Sequence, residues 1–539
     1  MTTHQENDFG SAFPLSQNLL GETGWNALTR LLCNARENRD LPEMLKKYRD
    51  RIPIPDYLIQ LMELETIFSR IKKFEVHFPE ETRDYQLNPT LEIYHADWLF
   101  APLFNQTATG GNRLLAKESN YILIWKHPKT KQVRVKSADD RDLLALKIVA
   151  EELSPESICQ ISPISLGKVL ECLRSAKRQG FLTGPASTIK RPDDYSARKA
   201  NALDKYQQTD FFTIQWHITN TCDLHCKHCY DRNKRSPLTL EQGLNIIKDF
   251  ERFCHLHHVS GHVCFTGGNP FLSPHFFELY QAASDQGFST SILGNPVPKE
   301  KLERLLLIQQ PTYYQVSLEG LQPHNDHIRG KGNYLNVVEF LSVLRDTGIT
   351  SAVQLTLTAD NMDQVLPLSE KLRGHTNKFT FNRLSPVGEG ASLLLPEKSA
   401  YIEFLKTYID AWKKNPVLNL KDNLLNPILH EQNLSAFGGC TGLGCAAAFS
   451  FLAILPDGEV HACRKFPSIV GNVLESTLDE IYHSSRSEQY RKGSAACYNC
   501  DMKPVCGGCL AITSGMQLDP FTDRDPFCPL PENTTIHMS

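Results

Sequence analysis

Three cysteines with the spacing CxxxCxxC lie in the segment CDLHCKHC, directly after the apolar run FFTIQWHI, which is predicted to be a buried strand. Cys222, Cys226 and Cys229 are therefore expected on an irregular loop where that strand ends. Three thiolates cannot close a four-coordinate zinc site unless His225 or His228 supplies a fourth ligand. The same thiolates can hold an iron–sulfur cubane with one iron open to a substrate. The spacing alone leaves both chemistries open.

Further polar motifs follow other predicted strands of the same region. TGGNP follows one strand, SLEG follows another, and HIRGKG, which contains Arg329, comes just beyond. Ligands in α/β architectures collect at the carboxyl ends of strands, and glycine lets a backbone approach a ligand closely. The motifs together predict one binding site. Its candidate residues, besides the cysteines, are His228, Gly267, Gly268, Asn269, Pro270, Ser317, Glu319 and Arg329.

The chain thereby resembles the radical S-adenosylmethionine (radical SAM) enzymes over roughly residues 211 to 390. The resemblance implies that the three loop cysteines ligate a catalytic [4Fe–4S] cluster and that S-adenosylmethionine is cleaved to a 5′-deoxyadenosyl radical. It implies that His228 meets adenine, that TGGNP holds the methionyl amine, and that Ser317, Glu319 and Arg329 hold ribose and carboxylate. The family's usual glutamate in the second motif is Asn269 here, which brings no charge.

Eight further cysteines lie near the C-terminus at short spacings, which favours metal binding over disulfides in a long chain without an export signal. Their order resembles the SPASM extension of peptide-modifying radical enzymes. The resemblance implies two auxiliary [4Fe–4S] clusters, and hence three clusters in all, whereas the CxxC pairs alone also fit two zinc ribbons. One cluster would take Cys440, Cys445, Cys463 and Cys509, and the other Cys497, Cys500, Cys506 and Cys528. Buried structural thiols are predicted at Cys33, Cys159, Cys172, Cys254 and Cys264.

The elements that must position these residues alternate along the chain. Six strand-like segments, each followed by a helix-like segment, predict a parallel sheet curled into a partial barrel. The predicted fold class is thus α/β, a partial (β/α)6 TIM-like radical SAM barrel with added terminal regions. The predicted domains are a helical region at 1–84, a winged-helix-like domain at 85–190, the barrel at 208–395, a helical connection at 396–435 and a SPASM domain at 436–539.

The segment from about 95 to 185 carries a predicted hairpin, YILIW to QVRVKSA, and a trio of helices. This winged outline resembles the PqqD-like peptide-recognition domains, which bind a leader peptide as an added strand at a sheet edge. A precursor peptide is therefore the expected partner of this domain. DNA binding is the alternative, since Lys168, Arg174, Lys177 and Arg178 share one helical segment, but no wider basic surface accompanies them. We predict no nucleic-acid partner.

The charge of the chain and its N-terminal sequence bear on its location. The net charge is −4, and the N-terminus has no basic region leading into an apolar core, so we expect a cytoplasmic protein without a membrane partner. The predicted function is oxidative modification of a ribosomally made, Cys-containing peptide by a radical SAM peptide maturase, an oxidoreductase that takes electrons from a flavodoxin or ferredoxin. The long N-terminal helical region and the GGNP variant also resemble the selenobiotic-peptide (SbtM-like) group.

Two alternatives stay open at this point. An anaerobic sulfatase maturase would oxidise a Cys or Ser of a protein target, but those enzymes carry an aspartate where this chain has Arg464. An iron–sulfur redox sensor that binds DNA would not need a cofactor site built from TGGNP, SLEG and Arg329.

Overall fold

The computed structural model describes residues 12–31, 41–48, 54–78, 82–105, 115–197 and 201–531. The chain forms two compact units, Met1–Ala186 and Ser187–Ser539, which we consider separately. Within the described residues, no helix combines the length and the apolar character that crossing a bilayer requires. Cys33 lies outside the described residues.

The first unit contains helices followed by a small sheet. Its helices are α1 (Pro14–Leu31), α2 (Leu41–Tyr48), α3 (Leu58–Lys73), α4 (Ala101–Phe104), α5 (Asp140–Ala150), α6 (Pro155–Ile161) and α7 (Leu166–Gln179). Its strands are β1 (Gln86–Leu87), β2 (Glu92–Trp98), β3 (Lys117–Lys126), β4 (Val133–Ser137) and β5 (Leu182–Thr183). Strands β2, β3 and β4 form an antiparallel sheet in that order, and β1 pairs with β5.

Local sequence signals define this sheet and its helices. The predicted hairpin is present as β3 and β4, and the three predicted helices are α5, α6 and α7. A capping box on Asp139 starts α5, and Ser154 and Ser165 cap the next two helices. Strand β2 was not predicted, because only one of the seven residues in EIYHADW is buried and its apolar pattern is weak. The structure therefore adds a third strand to the expected hairpin.

The second unit holds the barrel and the C-terminal region. Its helices are α8 (Leu240–Leu256), α9 (Phe276–Asp285), α10 (Lys299–Ile308), α11 (Gln322–Arg329), α12 (Asn333–Asp346), α13 (Val365–Leu372), α14 (Lys398–Trp412), α15 (Leu425–Glu431), α16 (Leu478–His483), α17 (Ser485–Lys492) and α18 (Leu510–Gly515). Its strands are β6 (Phe211–Thr219), β7 (Ser260–Gly267), β8 (Ser289–Leu293), β9 (Tyr314–Ser317), β10 (Ser351–Leu357), β11 (Lys378–Arg383), β12 (Phe451–Ile454), β13 (Glu459–His461) and β14 (Ile469–Asn472).

One sheet runs through this whole unit. Strands β6 to β11 are parallel neighbours in chain order, which confirms the predicted barrel sheet. Strand β12 pairs parallel with the other edge of β6, and β13 and β14 continue antiparallel from it. The C-terminal cysteine region therefore extends the barrel sheet. The parallel order places the carboxyl ends of β6 to β11 at one end of the barrel.

Helix starts agree with the sequence signals in one case and differ in another. Thr239 and Gln242, which have the Thr-x-x-Gln spacing of a capping box, form one at the start of α8. A Ser-Pro pair such as Ser273-Pro274 is typical of a helix start, but the next helix begins later, at Phe276, with His275 at its N-cap. The preceding residues 270–272 form a short 3-10 turn after TGGN, so the helix starts later.

Candidate active site

The cysteine loop packs closely against the glycine motif that follows β7. Gly268 N donates to Thr219 O at 2.8 Å, and Asn269 N donates to Thr221 O at 2.9 Å. A Cβ atom on Gly267 would lie 2.0 Å from Thr219 O, and one on Gly268 would lie 2.2 Å from Thr221 O. The two glycines are therefore required by the close approach of the loop's own backbone.

Two more main-chain bonds fix the far side of the loop. Lys227 N donates to Ile328 O at 3.0 Å, which links the loop to α11. Glu389 N donates to Cys229 O at 2.9 Å, which links it to the segment after β11. The thiols of the loop stay partly exposed within this frame. Three cysteines are thus held at the barrel end with access for a ligand.

A buried carboxylate organises the other side of the site. Glu319 Oε1 accepts from Arg329 Nε at 2.8 Å and lies 2.7 Å from Arg329 Nη2, while its Oε2 accepts from Thr356 N at 2.8 Å. His228 Nε2 lies 3.3 Å from the same Oε1. Burial disfavours the charge, but His228, Arg329 and the Thr356 N–H together hold the pKa of Glu319 below its ordinary value. Glu319 is thus an ionised anchor for Arg329.

A second carboxylate, which the sequence analysis missed, lies on the cysteine loop. Asp223 Oδ1 accepts from Asn295 Nδ2 at 2.6 Å and from Asn269 Nδ2 at 3.3 Å. Asn295 Nδ2 also lies 3.5 Å from Cys222 Sγ. Asn269, at the position of the usual glutamate, is 3% exposed. The sequence signal was the acidic residue directly after the first cysteine of CDLHC.

The remaining predicted site residues lie at the same end of the sheet. Pro270 begins the 3-10 turn after Asn269. Ser317 is the last residue of β9, and its neighbour on β10 is Gln354. Gly320, in the SLEG motif, has φ +147°, and Gln364 Oε1 lies 2.5 Å from where its Cβ would be. The structure therefore brings the cysteine loop, TGGNP and SLEG together at one barrel end.

The lumen of the barrel is polar. On β6, β9, β10 and β11, buried and mostly apolar residues that pack on the helices alternate with partly exposed residues directed inward. His262 bonds the hydroxyls of Ser289 and Ser291, at 2.8 Å each, across this inner face. Lys421 Nζ donates to Gln354 Oε1 at 2.6 Å. Other inward residues include Thr213, Gln215, Gln315, Thr356, Thr380 and Asn382.

The C-terminal cysteines form two groups. In the first, Cys445 and Cys463 are half-buried. Desolvation of the thiol raises the pKa of Cys463 to about 12, with Cys509 and Cys445 adding to the effect. Burial likewise raises the pKa of Cys445 to about 11, with Cys509 and Cys440 adding to it. Electrostatic interactions thus connect Cys440, Cys445, Cys463 and Cys509. These four thiols are the set that the SPASM resemblance assigns to one auxiliary cluster.

The second group lines a single cavity, whose walls include Cys497, Cys500, Cys506 and Cys528 together with Gly507 and Gly508. Burial raises the pKa of Cys497 to about 12, with Cys500 and Cys528 adding to the effect. Buried thiols of this kind become thiolates when a metal replaces their protons. Four convergent thiols around one cavity fit an iron–sulfur cluster.

Arg383, at the end of β11, ties the barrel to this region. Its Nε donates to Asp422 Oδ2 at 2.8 Å, and its Nη1 and Nη2 donate to Asp525 at 2.9 and 2.8 Å. Asp525 Oδ2 also accepts from Cys509 N at 3.0 Å. The bidentate pair is fully buried. The last barrel strand and the cysteine segment are thereby held in one hydrogen-bonded frame.

Comparison with known proteins agrees with this geometry. Residues 216–371 match the radical SAM superfamily, and residues 445–509 match SPASM, an iron–sulfur cluster-binding domain. The chain therefore contains a radical SAM enzyme domain followed by a SPASM domain. Binding of S-adenosylmethionine and of iron–sulfur clusters belongs to these two domains.

Three similar proteins illustrate the range of relatives. The antilisterial bacteriocin subtilosin biosynthesis protein AlbA of Bacillus subtilis is 26% identical, over 54% of this chain and 65% of AlbA. The AdoMet-dependent heme synthase of Nitratidesulfovibrio vulgaris is also 26% identical, over 58% of this chain and 91% of the synthase. The crystal structure of Streptococcus suis SuiB bound to precursor peptide SuiA has a TM-score of 0.49 at 17% identity, covering 76% of this chain and 97% of SuiB.

Proposed function

We propose that the chain is a radical SAM enzyme that modifies a ribosomally made peptide, with hydrogen abstraction as the first step. Cys222, Cys226 and Cys229 hold the catalytic cluster at the end of the barrel lumen. The bound cluster and S-adenosylmethionine supply a 5′-deoxyadenosyl radical. An electron donor such as a flavodoxin or ferredoxin reduces the enzyme. The choice of a peptide as the substrate rests on the polar side chains that line the barrel lumen.

The lumen separates the two classes of sequence relative. A porphyrin, as the relative named heme synthase handles, presents a large apolar macrocycle, and pockets for such ligands are lined mainly by apolar and aromatic side chains. The inward face here carries hydroxyl, amide, imidazole and ammonium groups instead, including Ser291, Gln354, His262 and Lys421. Polar groups of this kind pair with the amides and polar side chains of a peptide. This supports the bacteriocin-type relative over the heme-type relative.

Asp223 supplies the charge that Asn269 lacks in the cofactor site. The resemblance places the methionyl ammonium at TGGNP, where a carboxylate is usual. In this chain the carboxylate comes from the cysteine loop, 3.3 Å from the Asn269 amide nitrogen, and Asn295 orients it from the next strand end. A charge-assisted hydrogen bond to the ammonium is thereby kept, although the carboxylate lies on the cysteine loop and the amide lies in TGGNP.

The other cofactor residues keep the roles that the resemblance implies, with one change. His228 lies at the adenine position, Ser317 at the ribose, and Gly267, Gly268 and Pro270 shape the turn. Both oxygens of Glu319 are occupied by Arg329 and Thr356, so Glu319 acts as a positioning residue that aims Arg329. The Arg329 guanidinium is the group that receives the cofactor carboxylate.

Three [4Fe–4S] clusters complete the cofactor set. The auxiliary clusters take the two four-cysteine groups described above. A single zinc ion would need its sulfur ligands about 3.8 Å apart, given Zn–S bonds of about 2.3 Å in a tetrahedron. Among the described residues, no three cysteines bring their sulfur atoms within 4.8 Å of one another. The wider spacing supports multi-iron clusters over zinc ribbons.

The three-stranded sheet of the first unit recognises the precursor peptide. Hydrogen-bond pairing of β4 with β3 uses the main-chain groups of Gln132 and Ala138, so those of Val133, Val135 and Ser137 point to the outer edge. Asn105 Nδ2 already donates to Val135 O on this edge, at 3.0 Å. A peptide added as a strand would use the same row of groups.

A proline tests this edge with little damage to the sheet. Val133→Pro removes an outward N–H and leaves the β3 ladder intact, whereas Val133→Ala keeps the N–H. We expect Val133→Pro to weaken peptide binding about 2–10-fold, the worth of one hydrogen bond, and Val133→Ala to bind normally. Equal affinity of both variants would place the peptide elsewhere. Binding of a DNA duplex instead of the peptide would favour the redox-sensor alternative.

The sulfatase-maturase alternative is weakened by the contacts of Arg464. Its Nη2 donates to Asp231 Oδ2 at 2.6 Å, and its guanidinium lies 4.1 Å from the centre of the Tyr230 ring. The nearby Asp231 carboxylate is thus engaged in a charge pair with Arg464 and does not stand in for the aspartate that those enzymes carry at this position.

The whole proposal is tested with anaerobically reconstituted, dithionite-reduced protein. Short peptides encoded beside the gene and an iron coproporphyrin serve as the competing substrates. We expect 5′-deoxyadenosine formation together with a mass change in a peptide, and an unchanged porphyrin. Porphyrin conversion without peptide modification would overturn the choice of substrate, and absence of 5′-deoxyadenosine would overturn the radical SAM activity.

A further inference from the structure

Three potential metal ligands converge on the helical outside of the barrel. His257 follows the C-terminal end of α8, and Asp479 and His483 lie one turn apart on α16. His257 Nε2 lies 2.8 Å from Asp479 Oδ1, and His483 Nδ1 lies 3.2 Å from the same oxygen. One ligand atom from each of the three residues falls within 4.8 Å of the others. Two imidazoles and a carboxylate are a donor set typical of zinc and related divalent metals.

The surroundings of His257 orient its ring for such a role. The residue is 4% exposed, and its ring packs 4.4 Å from the Phe253 ring, centre to centre. Its Nδ1 lies 2.5 Å from Thr188 Oγ1, so Nε2 is the nitrogen directed at the cluster. Metal-bound histidines commonly have their second nitrogen fixed by such a hydrogen bond.

The helix α16 that carries the other two ligands is itself held in place. Leu478 N donates to Asp249 Oδ2 on α8 at 2.7 Å, and Thr477 and Glu480 form a capping box. The spacing of Asp479 and His483 puts both on one helix face. His483 is largely exposed and Asp479 partly so, which leaves a fourth position open to water.

We propose that His257, Asp479 and His483 form a site for one divalent transition-metal ion, with zinc as the typical occupant. The ion clamps the end of the first barrel helix to α16 of the C-terminal region. It takes no part in the radical chemistry, because its ligands lie on the helical outside of the barrel. The competing interpretation of these contacts is ordinary hydrogen bonding. His257 Nε2 then bonds the Asp479 carboxylate, and His483 Nδ1 bonds that carboxylate and the Asp479 main-chain oxygen, which lies 3.0 Å away.

The experiment compares the full chain, loaded with iron, with three variants. His483→Ala removes an exposed ligand without disturbing the core, and His255→Ala, at an exposed histidine on the same helix end, is the matched control. Asp479→Asn keeps an oxygen that accepts hydrogen bonds but is a poor metal ligand. Each protein is dialysed against micromolar zinc, after which bound zinc and iron are counted and the thermal midpoint is measured with and without zinc.

We expect wild type and His255→Ala to bind one zinc ion each. His483→Ala and Asp479→Asn should bind zinc at least about tenfold more weakly, with an unchanged iron content. Zinc should raise the thermal midpoint of the first pair only. Equal zinc binding in His483→Ala, or no zinc beyond background in the wild type, would overturn the site. If Asp479→Asn changes the thermal midpoint in the absence of zinc but binds as much zinc as the wild type, the three residues form hydrogen bonds only, and the metal site is overturned. None of these readouts depends on the peptide-modifying activity.

Discussion

The cysteine loop after β6 and the cysteine groups of the C-terminal region use the same side chain in different numbers and with different neighbours. The loop offers three partly exposed thiols, and Asp223, Glu319 and Arg329 lie around them. Each C-terminal group offers four thiols, and burial raises the pKa of members such as Cys463 and Cys497 to about 12. Three thiols leave one iron of a cubane open to a reacting ligand, whereas four thiols can ligate every iron, which suits a structural or electron-carrying cluster.

The largest difference between the two regions is expected when the three loop thiols are removed together. We expect the Cys222→Ala, Cys226→Ala and Cys229→Ala triple variant to lose about four irons and all 5′-deoxyadenosine formation, because only this cluster binds the cofactor. The fold should survive, since main-chain bonds hold the loop. Iron analysis and a cofactor-cleavage assay measure both effects. An unchanged iron count would break the distinction between the regions.

A single change in the closed groups should act on stability first. Cys506→Ala opens the set that lines the buried cavity, so we expect the loss of about four irons and a thermal midpoint lowered by more than in the loop variant. Calorimetry of the two reconstituted variants compares them directly. A midpoint equal to that of the loop variant would mean that the second group does not support the fold.

Exchange of Asp223 and Asn269 tests the charge of the open site. Asp223→Asn should weaken S-adenosylmethionine binding about 10–150-fold, the worth of a charge-assisted hydrogen bond of about 1.5–3 kcal/mol. The double variant Asp223→Asn with Asn269→Asp has the same volume and charge, and should regain most of the affinity. Equilibrium binding to the reconstituted enzyme gives these values. Normal affinity in the single variant would remove Asp223 from the cofactor site.

The smallest effect is expected at Asn295, whose main contact in the cofactor site is with Asp223 and whose amide lies 3.5 Å from the Cys222 sulfur. Asn295→Ala removes the 2.6 Å bond to the carboxylate and should weaken cofactor binding about 2–10-fold. The same substitution in the Asp223→Asn background should add little, because the negative charge that Asn295 orients is already absent. Additive losses in the double variant would show that Asn295 acts independently.

Local patterns in the sequence were sufficient to predict the barrel. Strands such as β6 and β10 alternate between apolar and polar residues or run apolar at strand length, and their order then determines a parallel sheet. Cys254 and Cys264 are buried, as predicted for structural thiols, and Cys172 is buried as well, whereas Cys159 is only half-buried. These features depend on burial and periodicity, which neighbouring residues encode.

Contacts between distant residues were not accessible in this way. The pairing of β12 with β6 joins segments without any sequence signal for each other, and Asp479 meets His257 across more than two hundred residues. Asp223 is part of the cysteine motif itself, but its partners Asn269 and Asn295 lie at the ends of two other strands. Such juxtapositions follow from the closed tertiary fold and not from local propensity.

The pairing of β12 with β6 has a consequence for biosynthesis. Strand β6 begins at Phe211 and its neighbour β12 at Phe451, so about 240 residues separate their emergence from the ribosome. At about 5–20 residues per second, one edge of β6 waits about 12–48 s for its partner strand. An unpaired edge strand is a template for pairing with other chains. The nascent barrel is therefore prone to aggregation until the cysteine region is made, and truncation before β12 makes that state permanent.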